Sequence, residues 1–220
     1  MLQYLLFDCD NTLYPESLGL ENEISRRMTD FVADLLHVAH DEAAKLRSSK
    51  VPPYGTTLEW LVTEHDFRDA ERYYDFVHYE GLYEALRPDP ELARVLARID
   101  LPKSILTNAP REHAERVLAR LGVANAFESI FDIRSCGLKG KPHIGAFNLA
   151  LDAVGRKPGE VLFFDDIERS VVAFIELGGW GVLVDETGTK HTTRQVPRVR
   201  TIHEVEAYVN ADRELVWNRN

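Results

Sequence analysis

Several short apolar runs without polar alternation constrain this chain more than any other feature. They lie at residues 4–7, 104–106, 161–164 and 181–184, with a weaker fifth at 129–133. Such runs suit strands buried on both faces, as in a parallel sheet covered by helices. Helical patterns fall between the later runs. Residues 111–121 carry Ala114, Val117, Leu118 and Leu121 on one side, and Gly122 follows as a helix end. Residues 143–154 precede Gly155, and residues 168–177 precede Gly178-Gly179. The alternation predicts a doubly wound, Rossmann-like α/β core.

The first run breaks this rhythm. No short loop and single crossover helix follow it; about 70 residues, 15–86, intervene instead. They read mainly as helices at 20–38, 41–48, 57–65 and 68–79. Pro52-Pro53-Tyr54-Gly55 interrupts them, and Arg87-Pro88-Asp89-Pro90 closes the segment. The expected organisation is therefore a core of residues 1–14 and 87–220, with a helical insertion at 15–86. In open α/β sheets the ligand site lies beyond the carboxyl ends of the strands. An insertion leaving from there would sit over that site as a lid.

The 220 residues include 26 Lys and Arg against 36 Asp and Glu, for a net charge of −10. That balance disfavours sequence-independent nucleic-acid binding. Lys190, Arg194, Arg198 and Arg200 read as a solvated loop. Two cysteines, Cys9 and Cys136, are too few for a disulfide framework or a Cys-type zinc site, and a reducing cytoplasm is expected. Cys9 reads as a small buried hydrophobe, and His37 and His40 as surface residues. The N-terminus lacks a basic leader pattern, and no stretch approaches the ~20 apolar residues of a membrane helix. No nucleic-acid or membrane partner is expected, and either a monomer or a homodimer fits.

Chemistry concentrates at the strand ends. Asp8 and Asp10 follow the first run with the same parity, and Asp165-Asp166 follow the run at 161–164. Adjacent strands would bring four carboxylates together. Their repulsion calls for a cation, and oxygen ligands of this type suit Mg²⁺. Thr107-Asn108 ends another strand, and Lys141-Pro142 precedes a helix. Together these groups could hold a phosphoryl group. Asp8 would attack phosphorus and form an aspartyl-phosphate. Asp10 would protonate the leaving oxygen and then deprotonate water. Thr107 and Lys141 would bind the transferring group.

This set resembles the haloacid dehalogenase-like hydrolase superfamily in four ordered motifs. They are Asp8-Cys9-Asp10-Asn11-Thr12, Ile105-Leu106-Thr107-Asn108, Lys141-Pro142 and Phe163-Phe164-Asp165-Asp166. The insertion is similar to that family's helical C1 cap. Asp10-Asn11-Thr12-Leu13-Tyr14-Pro15, Tyr54-Gly55-Thr56-Thr57-Leu58 and Leu86-Arg87-Pro88-Asp89 resemble its pyrimidine 5′-nucleotidase-like branch. The resemblance implies a Mg²⁺-dependent phosphatase for small phosphomonoesters, pyrimidine nucleoside 5′-monophosphates foremost. It implies metal ligation by Asp8, Asp166 and the Asp10 carbonyl, with Asp165 supporting or acting through water. Backbone amides of Cys9, Asn108 and Ala109 would donate to phosphate. Ser170 stands where relatives often carry Asn or Asp.

Alternatives of the same fold are a sugar- or vitamin-phosphate phosphatase, a β-phosphomutase-like enzyme and a haloacid dehalogenase. A carbon–halogen hydrolase needs no proton for its leaving group and so has no use for Asp10. A non-catalytic phospho-ligand binder would be expected to have lost Asp8 or Asp10. A receiver domain would carry its paired acids first and would have no large insertion. Within the insertion, Tyr54 or His65 is the expected leaving-group contact.

Overall fold

The computed structural model describes residues 1–190, 192 and 195–210. Its elements, in chain order, begin with β1 (Tyr4–Phe7), α1 (Leu20–Leu36), α2 (His40–Lys50), α3 (Thr57–His65) and α4 (Ala70–Val77). There follow α5 (Pro90–Arg98), β2 (Lys103–Leu106), α6 (Arg111–Leu121), β3 (Ile130–Phe131) and α7 (Ile144–Val154). The last are β4 (Val161–Asp165), α8 (Glu168–Glu176), β5 (Trp180–Val184), β6 (Arg198–Val199) and α9 (Val205–Asn210). The strands form one parallel sheet in the order β3-β2-β1-β4-β5-β6.

The absence of alternation in the strand sequences is explained by two covered faces. Leu5, Leu6 and Phe7 are each 0% exposed although successive side chains point oppositely. Leu5 and Phe7 join Ile105, Leu162 and Phe164 in one core, with Leu92, Val95, Val117 and Leu118 packed there. Tyr4 and Leu6 join Leu106 and Phe163 in the other, with Phe147 and Phe174 of α7 and α8. Those three phenylalanines form an aromatic cluster with ring centroids 5.2–5.4 Å apart. Gly122 and Gly155 end α6 and α7 at φ 76° and 64°, a region that side chains with a Cβ disfavour.

Three elements were not expected, α5, β6 and α9. Asp89 and Pro90 read as a closing turn, yet they start α5. Asp89 accepts from the amides of Glu91 and Leu92, and Pro90 occupies the first turn. The two-residue β6 lies in the stretch read as a solvated loop. The last expected helix of the insertion is also shorter. Asp69 caps α4 by accepting from the Arg72 amide, and the chain then enters a 3-10 turn at Glu80–Ala85.

The helices α1–α4 connect β1 to the rest of the sheet and share their own aromatic packing. Phe31 meets Phe67 and Tyr73 edge-on at 5.4 and 5.1 Å. Polar struts join this group to the sheet layers. Arg134 pairs with Glu71 at 2.6 Å, and His143 Nε2 lies 2.9 Å from Glu59. Arg169 donates to the carbonyls of Pro52 and Gly55. Among the described residues no helix is long and apolar enough to cross a membrane.

Candidate active site

The strand order reverses between β1 and β4, which is where an open α/β sheet leaves a crevice at its carboxyl edge. Phe7 and Phe164 are in register, so the residues that follow emerge side by side. The Asp8 amide donates to the Phe164 carbonyl at 2.8 Å. Oxygens of Asp8, Asp165 and Asp166 lie within 4.8 Å of one another. Lys141 reaches into this group and donates to Asp8 Oδ1 and Asp165 Oδ2, each at 2.6 Å. It is 3% exposed, so both pairs are shielded from water.

Two ammoniums, Lys141 and the half-buried Lys190 beside Asp166, do not offset three carboxylates. Burial pushes the Asp8 carboxyl well above its ordinary range; Lys141 opposes this, while Asp165, Asp166 and Asp10 add to it. Asp166 is pushed up to about 7 by burial and by Asp165, against the pull of Lys190. The acids in turn raise Lys141 despite its burial. An all-oxygen donor set with surplus negative charge fits a hard divalent cation. Asp165 already spends one oxygen on Lys141 and the other on the Ile167 amide, at 2.7 Å.

The remaining expected residues converge on the same place. Thr107 follows β2, is 1% exposed, and its Oγ1 accepts from the Ala109 amide at 3.0 Å. That amide, expected to meet phosphate, is thus engaged within the loop. Asn108 does more than its backbone suggested. Its side chain donates to the Lys141 carbonyl at 2.8 Å and accepts from the Lys141 amide at 2.7 Å. Gly140 makes this clasp possible, since a Cβ there would stand 2.1 Å from Asn108 Oδ1. Ser170 is buried and lines the same cavity. The Cys9 side chain turns into the core with Leu5 and Phe7, as expected.

Asp10 stands apart from the three-acid cluster. Its Oδ1 accepts from the Tyr14 hydroxyl at 2.6 Å and lies 2.7 Å from His113 Nε2. Burial alone would raise this acid, yet His113 and these two bonds hold it at about 2. Neither partner was singled out from sequence. His113 lies on the apolar side of α6 beside Ala114 and Val117, where a lone histidine reads as core. Its remaining partner is Tyr83, whose hydroxyl is 3.1 Å from Nδ1.

A cavity of about 270 Å³ lies between the strand ends and the insertion. It is at the small end of ligand sites, which run from roughly 300 Å³ upward. Glu21, Arg47, Tyr73, Tyr74 and His78 line it from the insertion. Arg47 donates to the Ser25 carbonyl, Thr29 and Thr57, and no carboxylate of the described residues lies within ion-pair reach. The Tyr74 hydroxyl and Asn11 Oδ1 are buried without a partner. Tyr54 and His65, the expected contacts, lie elsewhere. Tyr54 bonds Glu64 at the surface, and His65 packs edge-on against Trp60.

The basic stretch also differs from a free loop. Lys190 donates to the Asp166 carbonyl and carboxylate at 2.8 and 3.2 Å. Arg198 pairs with the fully buried Asp185 at 3.1 Å. A buried carboxylate needs such partners, and sequence alone could not show that one lay opposite. Arg194 is outside the described residues.

Residues 2–178 match the family model described as haloacid dehalogenase-like hydrolase. The chain is 26% identical over 191 residues to a glyceraldehyde 3-phosphate phosphatase of Methanocaldococcus jannaschii, covering 81% of this chain and 82% of that protein. It is 29% identical over 132 residues to phosphate metabolism protein 8 of Saccharomyces cerevisiae. That match covers 56% of this chain but only 41% of the yeast protein's length. Among solved structures, a HAD phosphatase from Thermococcus onnurineus superposes with a TM-score of 0.66 at 20% identity. It covers 96% of this chain and all of that one. The fold and the family-model match agree, and the chain belongs to the haloacid dehalogenase-like hydrolase family.

Proposed function

We propose that the protein is a Mg²⁺-dependent phosphomonoesterase working through an aspartyl-phosphate on Asp8. The observation that carries this reading is the buried Lys141 shared by Asp8 and Asp165 at the floor of the cavity, with Asp10 beside it. Asp8, Asp166 and the Asp10 carbonyl would hold the metal, with Asp165 supporting through Lys141 or water. The excess of carboxylate over cation there fits such a group. Bound Mg²⁺ would offset the charge of the acids and of the phosphate.

An Asp8 oxygen attacks phosphorus as the ester oxygen leaves, and Asp10 supplies the proton that oxygen needs. Water then attacks the same phosphorus, its proton passes to Asp10, and Asp8 is released. Lys141 and Thr107 bind the phosphoryl oxygens, together with the amides of Cys9 and Asn108. Asp10 also argues against halide release, where the leaving group takes no proton. The family takes its name from dehalogenases, so this residue, rather than the fold, favours phosphate.

Residues 15–86 serve as the cap that selects the leaving group. The lining of Glu21, Arg47, Tyr73 and Tyr74 is polar and aromatic, which suits a small polar leaving group. Pyrimidine nucleoside 5′-monophosphates are the foremost substrates of this reading. The test is phosphate release from a panel of UMP, CMP, sugar phosphates and small acid phosphates, with Mg²⁺ and with EDTA. Metal-dependent release, lost in Asp8→Asn, is the expected result. Release only from non-nucleotide esters would keep the chemistry and discard the nucleotide assignment. No release from any ester would overturn the reading.

A further inference from the structure

The Asp10 carboxylate is held on one side only. Oδ1 takes the Tyr14 hydroxyl at 2.6 Å and His113 Nε2 at 2.7 Å. Oδ2 has no partner among the described residues, and Asp10 lines the cavity. Tyr14 already donates to Oδ1, so this oxygen accepts whether or not Oδ2 carries a proton, and the histidine proton on this bond sits at Nε2. Nδ1 then faces the Tyr83 hydroxyl at 3.1 Å, which fixes the ring. His113 is 1% exposed, and its ring packs against His78 with centroids 4.5 Å apart. The imidazole therefore has one orientation, and it is aimed at a single oxygen.

We propose that His113 is a positioning residue for proton transfer at Asp10. With Tyr14 it saturates Oδ1, stops rotation of the carboxylate, and leaves Oδ2 as the oxygen that exchanges protons. This rests on the reading of Asp10 as the proton-transfer group. The bound monoester arrives as its monoanion and gives its proton to Oδ2; in the first step the Asp8–phosphorus bond forms, the bond from phosphorus to the ester oxygen breaks, and that proton goes to the ester oxygen. In the second, a water oxygen bonds phosphorus, the Asp8–phosphorus bond breaks, and the water proton goes to Oδ2. His113 keeps its proton throughout and touches no reacting atom. Its value is alignment, where an error of about 1 Å can cost on the order of a hundredfold in rate.

The clamp also spans the two chain crossings between sheet and insertion. Tyr14 immediately precedes the insertion, and Tyr83 lies in the 3-10 turn that returns from it. The aim of Asp10 and the seating of those two segments thus depend on the same hydrogen bonds.

The test uses the full chain with Mg²⁺ and two esters, followed in the first turnover by rapid mixing. One is an alkyl phosphate, whose alkoxide cannot leave without a proton. The other is p-nitrophenyl phosphate, whose phenolate leaves unaided. His113→Leu should slow the alkyl ester by about a hundredfold with KM nearly unchanged. The p-nitrophenolate burst should stay close to the parent rate. His113→Gln, whose amide can still donate to Oδ1, should recover about tenfold of the loss. Equal slowing of both esters, a loss confined to KM, or a Gln variant no better than Leu would overturn the proposal.

Asp10→Asn separates this from the underlying reading. If it splits the two esters and His113→Leu does not, the positioning role fails alone. If Asp10→Asn shows no split, the reading of Asp10 itself fails. Should His113→Leu not fold, Tyr14→Phe removes the other donor to Oδ1 and must show a split of the same sign.

Discussion

Asn11 adopts φ 52°, a left-handed conformation that asparagine and glycine tolerate better than other residues. Asn108 has a different task. Its two bonds hold the backbone of Lys141, so Asn108→Ala leaves a buried donor and acceptor unpaired. A loss of about 1–3 kcal/mol in urea unfolding is expected, with a lower kcat. Unchanged kcat would mean that Lys141 is held by its carboxylates alone.

Asp166 should give effects of opposite sign. Its folded carboxyl is raised to about 7, so its charge is unfavourable at neutral pH when no metal is bound. Asp166→Asn should therefore melt higher than the parent in EDTA. The parent should gain about 2.7 kcal/mol in Mg²⁺ at a hundredfold excess over Kd, and the variant should not. Thermal melts in both buffers decide it; a variant that still gains would remove Asp166 from the metal site. The acids were legible because they follow recognisable strands, and Lys141 because it stands with Pro142 just ahead of α7. His113 was not, because its acidic partner lies 103 positions away and only the fold brings them together.

At the scale of elements, the strands read clearly because covered faces leave no alternation to confuse them. Phe147 shows the energetic side. It is 0% exposed and meets both Phe163 and Phe174, so α7 is fastened to β4 and α8 through one ring. Phe147→Ala should cost about 3–5 kcal/mol in denaturant unfolding. A cost under about 1 kcal/mol would mean that the neighbouring rings close the gap. The start of α5 was visible in Asp89-Pro90-Glu91, but its prolines read first as a turn. The two-residue β6 has too few side chains to declare a period. The expectation for Tyr54 or His65 missed the cavity lining for a related reason. Aromatic residues abound in α3 and α4, and only packing shows which of them, Tyr73 and Tyr74, line the cavity.

The whole molecule joins its helical insertion to its sheet layers partly through His78, whose ring packs at a tilt against His113. Burial holds His78 well below its ordinary value; His113, Arg116 and Arg134 add to this, while Asp10 opposes it. Below about pH 6.5 the unfolded chain takes up a proton at this position that the folded chain refuses. Its contribution to stability therefore falls as pH drops from 7 to 5. Urea unfolding across that range should show a shallower pH dependence in His78→Phe, by at most about 1.4 kcal/mol per pH unit. An identical slope in both proteins would show that His78 is protonated in the folded state as well.

The strand order has a last consequence, for synthesis on the ribosome. β1 emerges well before its neighbour β4, which lies more than 150 residues later. Domains tend to fold as units as they emerge, and long-range strand pairing is slow. Asp8 cannot meet Asp165 or Asp166 until that distant strand is made. A nascent chain halted before residue 161 would carry the proposed nucleophile and its lysine but only one acid of the three-carboxylate cluster. The cluster is thus withheld from every product that stops short of β4, and it assembles only once that strand has left the exit tunnel.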